Sequence, residues 1–117
     1  MKVARNILNE SLKISEDVIE TIVQEAAMEV DGVAKLAMIP ISKSDYFLKA
    51  SKPKAVKIDV NGDTVKITLG LTLRQGAVIK RVAEQVQQQA KEAVQNMTGV
   101  AVYQVNVYIA GICAEQE

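Results

Sequence analysis

Apolar residues recur along the chain first with a helical period and then with a strand period, and the switches divide it into elements. In "SEDVIETIVQEAAMEVDG", Ile19, Ile22, Val23, Ala26, Ala27 and Val30 fall on one face of a helix. Ser15 is placed to cap its start, with Glu16 and Asp17 at the positive end of the dipole and Gly32 at its close. "VAKLAMI" follows as a short apolar run that predicts a strand, and from Pro40 to Lys54 the pattern dissolves into a loop, "PISKSDYFLKASKPK". The clearest alternation is in "VKIDVNGDTVKITLGLTL". Val56, Ile58 and Val60, then Val65, Ile67, Leu69, Leu71 and Leu73, take every second position, and Asn61-Gly62 supplies a tight hairpin turn. Gly70 breaks the polar side of that ribbon, where a bend or a close backbone approach would need it.

A second amphipathic helix is predicted from about Gly76 to Met97, with Ile79, Val82, Ala83, Val86, Ala90, Ala93, Val94 and Met97 as its stripe and Gly99 as its end. The last element, near residues 100–109, is rich in β-branched and aromatic side chains and far shorter than a membrane span. Tyr103, Val105, Val107 and Ile109 alternate with Gln104, Asn106 and Tyr108. Val100 and Val102 lie in the opposite phase, which calls for a bulge near Tyr103 or for cover on both sides. The expected fold is α+β: a two-layer sandwich in which a mixed sheet of three or four strands carries two amphipathic helices on one face, in the order α-(β)-β-β-α-β. The strands flanking the second helix are expected to be parallel.

Composition narrows the chemistry. The 117 residues are 49% hydrophobic and 24% charged, the balance of a folded domain. Fourteen basic residues offset fourteen acidic ones, which disfavours generic polyanion binding. With no histidine, the commonest general base and metal ligand is absent, and Cys113 stands alone, so no internal disulfide can form. Neither a Walker pattern nor a dinucleotide fingerprint occurs. No catalytic, metal or cofactor site is expected. Nor is a signal peptide, since polar Asn6, Asn9, Glu10 and Ser11 interrupt the start.

Three surfaces are left as candidates. The outer side of the last strand offers Gln104, Asn106 and Tyr108 without a charge, where an edge or face is ordinarily guarded. The first helix presents Glu20, Glu25 and Glu29 with no basic residue among them, fitting either a solvated face or a partner surface. Lysines 43, 49, 52, 54 and 57, interleaved with Tyr46 and Phe47, are the one basic concentration, either a solvated loop or a small nucleic-acid-binding surface over 43–57. The aromatic strand signature and GXXG loop of small RNA-binding modules are missing.

Taken in order, "ISEDVIETIVQEAAMEVDGV", "VKIDVNGDTVKITLGLTL" and "VAEQVQQQAKEAVQNMTGVAVYQVNVYIAGI" resemble the alkaline shock protein family of bacterial envelope stress proteins. The resemblance spans most of residues 14–112 and implies one domain over 1–117, departing from the family's glycine-rich linker at loop 40–54. It implies a non-enzymatic cytoplasmic protein of envelope homeostasis in Gram-positive-type bacteria, peripheral to the inner membrane face. Such a protein has no cofactor and no membrane insertion of its own. Its partners would be a membrane-anchored protein or further copies of itself, with nucleic acid an unlikely one.

Overall fold

A computed structural model of the chain describes residues 13–40 and 54–114. Two helices and four strands follow in the order α1 (Glu16–Met28), β1 (Val33–Leu36), β2 (Val56–Asn61), β3 (Thr64–Arg74), α2 (Ile79–Thr98) and β4 (Ala101–Cys113). The α+β order and the mixed sheet expected from the pattern are those observed. β2 and β3 form an antiparallel hairpin from Val56↔Leu69 to Asn61↔Thr64, β1 is antiparallel to the end of β3, and β4 runs parallel to β3 along its whole length.

β3 is the central strand. β1 and β2 share one of its edges end to end, and Gly70 is the joint: its N–H donates to the Ala55 carbonyl and its own carbonyl accepts from the Ala37 N–H, both at 2.9 Å. A Cβ at Gly70 would strike the Ala37 carbonyl oxygen and lie 3.4 Å from Ile39 Cγ1, so the close approach seen in the pattern is real.

The core lies between the helices and the inner face of the sheet. Ile19, Ile22, Val23 and Ala27 of α1 and Val82, Val86, Ala90 and Val94 of α2 pack with Val56, Ile58, Val65, Ile67, Leu69, Leu71 and Leu73. Ile79 and Met97, assigned to the α2 stripe by periodicity, are exposed at its two ends. Burial of so many aliphatic side chains, each contributing about 1.5–3 kcal/mol, is what makes a nearly aromatic-free core sufficient.

Three local expectations need correction. Helix α1 closes at Met28, with Glu29 as its C-cap; Gly32, at φ 99°, turns the chain into β1 instead. Helix α2 begins at Ile79 rather than near Gly76, because Arg74–Ala77 form a turn closed by the Ala77 N–H on the Arg74 carbonyl. In the hairpin the turn residues are Gly62 and Asp63, with a positive φ at Gly62 alone, since Asn61 pairs with Thr64 as part of the ladder. Ser15 caps α1 as read, its hydroxyl accepting from the Val18 N–H at 3.2 Å, and Gly99 ends α2 in the left-handed conformation at φ 80°.

Candidate functional site: the outer sheet face and the β4 edge

Strand β4 is built around two interruptions. Its register against β3 runs Val65↔Val102 and then Lys66↔Gln104, so Tyr103 is an extra residue; a second shift passes from Leu71↔Ile109 to Thr72↔Gly111, leaving out Ala110. The bulge at Tyr103 resolves the phase conflict of Val100 and Val102: Val102 shares the inner side with Val105, Val107 and Ile109, which stand beside Ile67, Leu69 and Leu71. Tyr103, grouped by alternation with those inner residues, instead sits half-exposed in the bulge.

Between the bulges, Gln104, Asn106 and Tyr108 lie on the outer face beside Lys66, Thr68 and Gly70. The Gln104 amide donates to Asn106 Oδ1 at 2.7 Å. Tyr108, 41% exposed, neighbours the glycine joint. Lys57 and Asp59 flank the same face from β2, opposite Thr68 and Lys66, and Lys35 stands opposite Thr72. Both helices pack on the other side, so this face has no second layer among the described residues.

The acidic candidates lie elsewhere. Glu25 on α1 and Glu29 at its C-cap are exposed in the helical layer, so they form no common surface with Gln104, Asn106 and Tyr108. Glu20 is tied down: its carboxylate accepts from Lys54 Nζ at 2.8 Å. That hydrogen bond and the charge of Glu20, with Asp17 and Glu16 farther off, hold the Lys54 ammonium above its ordinary value of 10.5, against a slight desolvation. Of the lysines weighed for nucleic acid, Lys43, Lys49 and Lys52 lie outside the described residues with Tyr46 and Phe47. Lys54 serves the α1 ion pair and Lys57 belongs to the outer sheet face.

Two glutamines escaped the sequence reading because they look like ordinary wet-face helix residues. Gln95 accepts the Val102 N–H at 3.0 Å, and Gln87 donates to the Val105 carbonyl at 3.1 Å. Both reach from the flank of α2 to the side of β4 away from β3. Glu84, Gln87, Gln88 and Lys91 form one wall there, and Tyr103, Gln104 and Val105 the other, of an open groove of about 400 Å³. Cys113 has a free, half-buried thiol, and its backbone carbonyl accepts from the Gln75 N–H at 3.2 Å. Among the described residues, no three acidic or thiol side chains are grouped to hold a metal ion, and no helix is long and apolar enough to cross a membrane.

Among the described residues, the chain is a two-layer α+β domain with an uncovered sheet face and a long uncharged strand at its rim. The chain belongs to the alkaline shock protein 23 family, described by its cell envelope-related function, which it matches over residues 5–114. It is 33% identical over 102 residues to the protein YqhY of Bacillus subtilis (strain 168), covering 86% of this chain and 76% of that one. It is 33% identical over 104 residues to Spy1535 of Streptococcus pyogenes serotype M6, covering 88% and 79%. Among solved structures, a substituted MamM CTD superposes with a TM-score of 0.51 at 14% identity, covering 82% of this chain and 95% of that one. At that identity the likeness is one of fold.

Proposed function

We propose that this chain is a non-enzymatic protein of the bacterial cell envelope that acts by protein–protein contact, in the cytoplasm and at the inner face of the membrane, where a membrane-anchored partner or further copies of itself hold it. Family membership supports the envelope role. The observation that carries the mode of action is the outer sheet face: Gln104, Asn106 and Tyr108 form an uncharged strip on a face that neither helix covers. Lys35 and Lys66 outnumber Asp59 across the same face, so its partner is expected to be polar, with acidic groups beyond the strip. Glu25 of α1 and Glu29 at its C-cap are a second, separate surface for a basic contact.

The test is a tagged pull-down from the native bacterium, with membrane and soluble fractions kept apart, using the parent and Asn106→Lys. The variant adds a charge at the centre of the strip without touching the core. Reduced recovery of partner by Asn106→Lys, with an unchanged far-UV spectrum, supports the reading; equal recovery rejects the face as the docking surface.

A further inference from the structure

The geometry points to antiparallel pairing of two copies of this chain along the open edge of β4, about a two-fold axis near Val107. The inference rests on the self-association half of the reading above and names the contact that makes it. Its first support is the direction of the backbone. The Val105 carbonyl faces Gln87 on the α2 flank, away from β3. Backbone groups alternate between the two edges of a strand, so the N–H and C=O of Val107 and Ile109 also face outward, while those of Gln104, Asn106 and Tyr108 serve the ladder to β3. Among the described residues β4 pairs only with β3.

The second support is what this edge lacks. An open edge is normally guarded by lysine, proline or a covering element. Here the thirteen residues Ala101–Cys113 contain neither charge nor proline. Among the described residues, the guards on the strand itself are the bulges at Tyr103 and Ala110, which leave a regular window over 104–109. Gln87 occupies one carbonyl of that window, and as an exposed side chain it can yield it to a backbone donor.

The third support is self-complementarity. A two-fold axis at Val107 sets Val105 against Ile109 and Asn106 against Tyr108, giving β-branched pairs on the inner side and uncharged pairs on the outer. Helix α2 runs antiparallel to β4, with Gln95 at the level of Val102 and Gln87 at the level of Val105. At about 1.5 Å per helical residue and about 3.3 Å per strand residue, the level of Val107 falls about four to five residues before Gln87, between Val82 and Ala83. Lys80 and Glu84 bracket that level one turn apart on the Gln87 flank. The axis therefore brings Lys80 of each copy to Glu84 of the other. With a formal net charge of zero, two copies approach without long-range repulsion.

Sedimentation of the purified chain over a range of concentrations, with residue-resolved amide exchange, tests this. The expected result is a dimer in which exchange at Val107 and Ile109 slows by at least about tenfold as concentration rises, while Asn106 and Tyr108, already bonded to β3, barely change. Lys80→Glu should weaken the dimer about tenfold, and Lys80→Glu combined with Glu84→Lys should restore it. A chain that stays monomeric, or a dimer with fast exchange at Val107 and Ile109, overturns the proposal, as does a double variant no tighter than the single one. Protection of those amides only when a different protein is added would assign the edge to a foreign strand and equally overturn pairing between copies. The outcome is separable from the outer-face reading, since Lys80 and Glu84 lie on α2 in the helical layer, away from the outer strip of Gln104, Asn106 and Tyr108.

Discussion

The side-chain oxygen of Gln95 accepts the N–H of Val102 at 3.0 Å, fastening the last turns of α2 to the strand that follows the Gly99 cap. The bond sits one residue before the Tyr103 bulge and satisfies a donor on a residue only 3% exposed. Gln87 makes the corresponding bond to Val105 at an exposed site. Similar chemistry in different burial should give different energies, because a donor left unpaired in the interior costs its full desolvation. Gln95→Leu is expected to lower stability by about 1–2 kcal/mol. Gln87→Leu should cost less than about 0.5 kcal/mol. Urea unfolding at low protein concentration measures both, and equal losses would contradict the assignment.

The elements with an apolar stripe or a strict alternation were readable from the sequence, because burial on one face leaves a periodic trace. Ile19 to Val30, Val56 to Leu73 and the interior of α2 all have that trace. Departures from it were readable only as conflicts. Val102 announced a bulge by being out of phase, but nothing announced that Ala110 would form another. The placement of β1 and β2 along one edge of β3 depends on Ala37 and Ala55 meeting at Gly70, a tertiary relation with no local period. Gln87 and Gln95 were hidden for a related reason: a glutamine on a wet face looks the same whether it faces water or a neighbouring strand.

The Lys54–Glu20 pair makes a prediction about alkaline pH. The Lys54 ammonium is held above its ordinary 10.5 by the Glu20 hydrogen bond and charge. A raised folded-state value means the pair's contribution is complete below the unfolded value and is lost as pH rises through the folded one. The Lys54 side chain is 54% exposed, so that contribution is about 0.5 kcal/mol and falls with added salt. Lys54→Met should therefore be less stable than the parent by a constant amount from neutrality to about pH 10, and the gap should close above it. Parallel thermal or urea titrations of the two proteins follow the gap directly; one that widens with pH would reverse the sign.

Gly70 and Gly62 separate two reasons for glycine. A Cβ at Gly62 meets nothing within 4 Å, and only its φ of 65° resists a side chain. Gly62→Ala should cost roughly 1 kcal/mol, the penalty of the left-handed conformation. At Gly70 the obstacle is the Ala37 backbone, which cannot retreat without breaking its own hydrogen bond to the Gly70 carbonyl. Gly70→Ala is therefore expected to cost about 2–3 kcal/mol, the range for overpacking against rigid neighbours. It should also loosen β1, seen as faster exchange of the Ala37 amide. Equal losses at the two glycines would mean that the joint can shift.

The two-layer packing itself is tested at Ile67, a core side chain on the central strand. It is fully excluded from solvent, whereas Val60, on the same face near the hairpin tip, is 58% exposed. Truncating Ile67 removes its transfer energy and leaves a cavity walled by β3 and the helical stripes, which rigid secondary structure can fill only in part. Ile67→Ala is expected to lower stability by about 3–4 kcal/mol, and the midpoint of thermal unfolding by roughly 12–15 °C for a domain of this size. Val60→Ala should change either quantity by less than about 0.5 kcal/mol or its thermal equivalent. Calorimetry on the two variants checks both values. A small effect at Ile67 would mean that it does not sit in a close-packed core between the helices and the sheet.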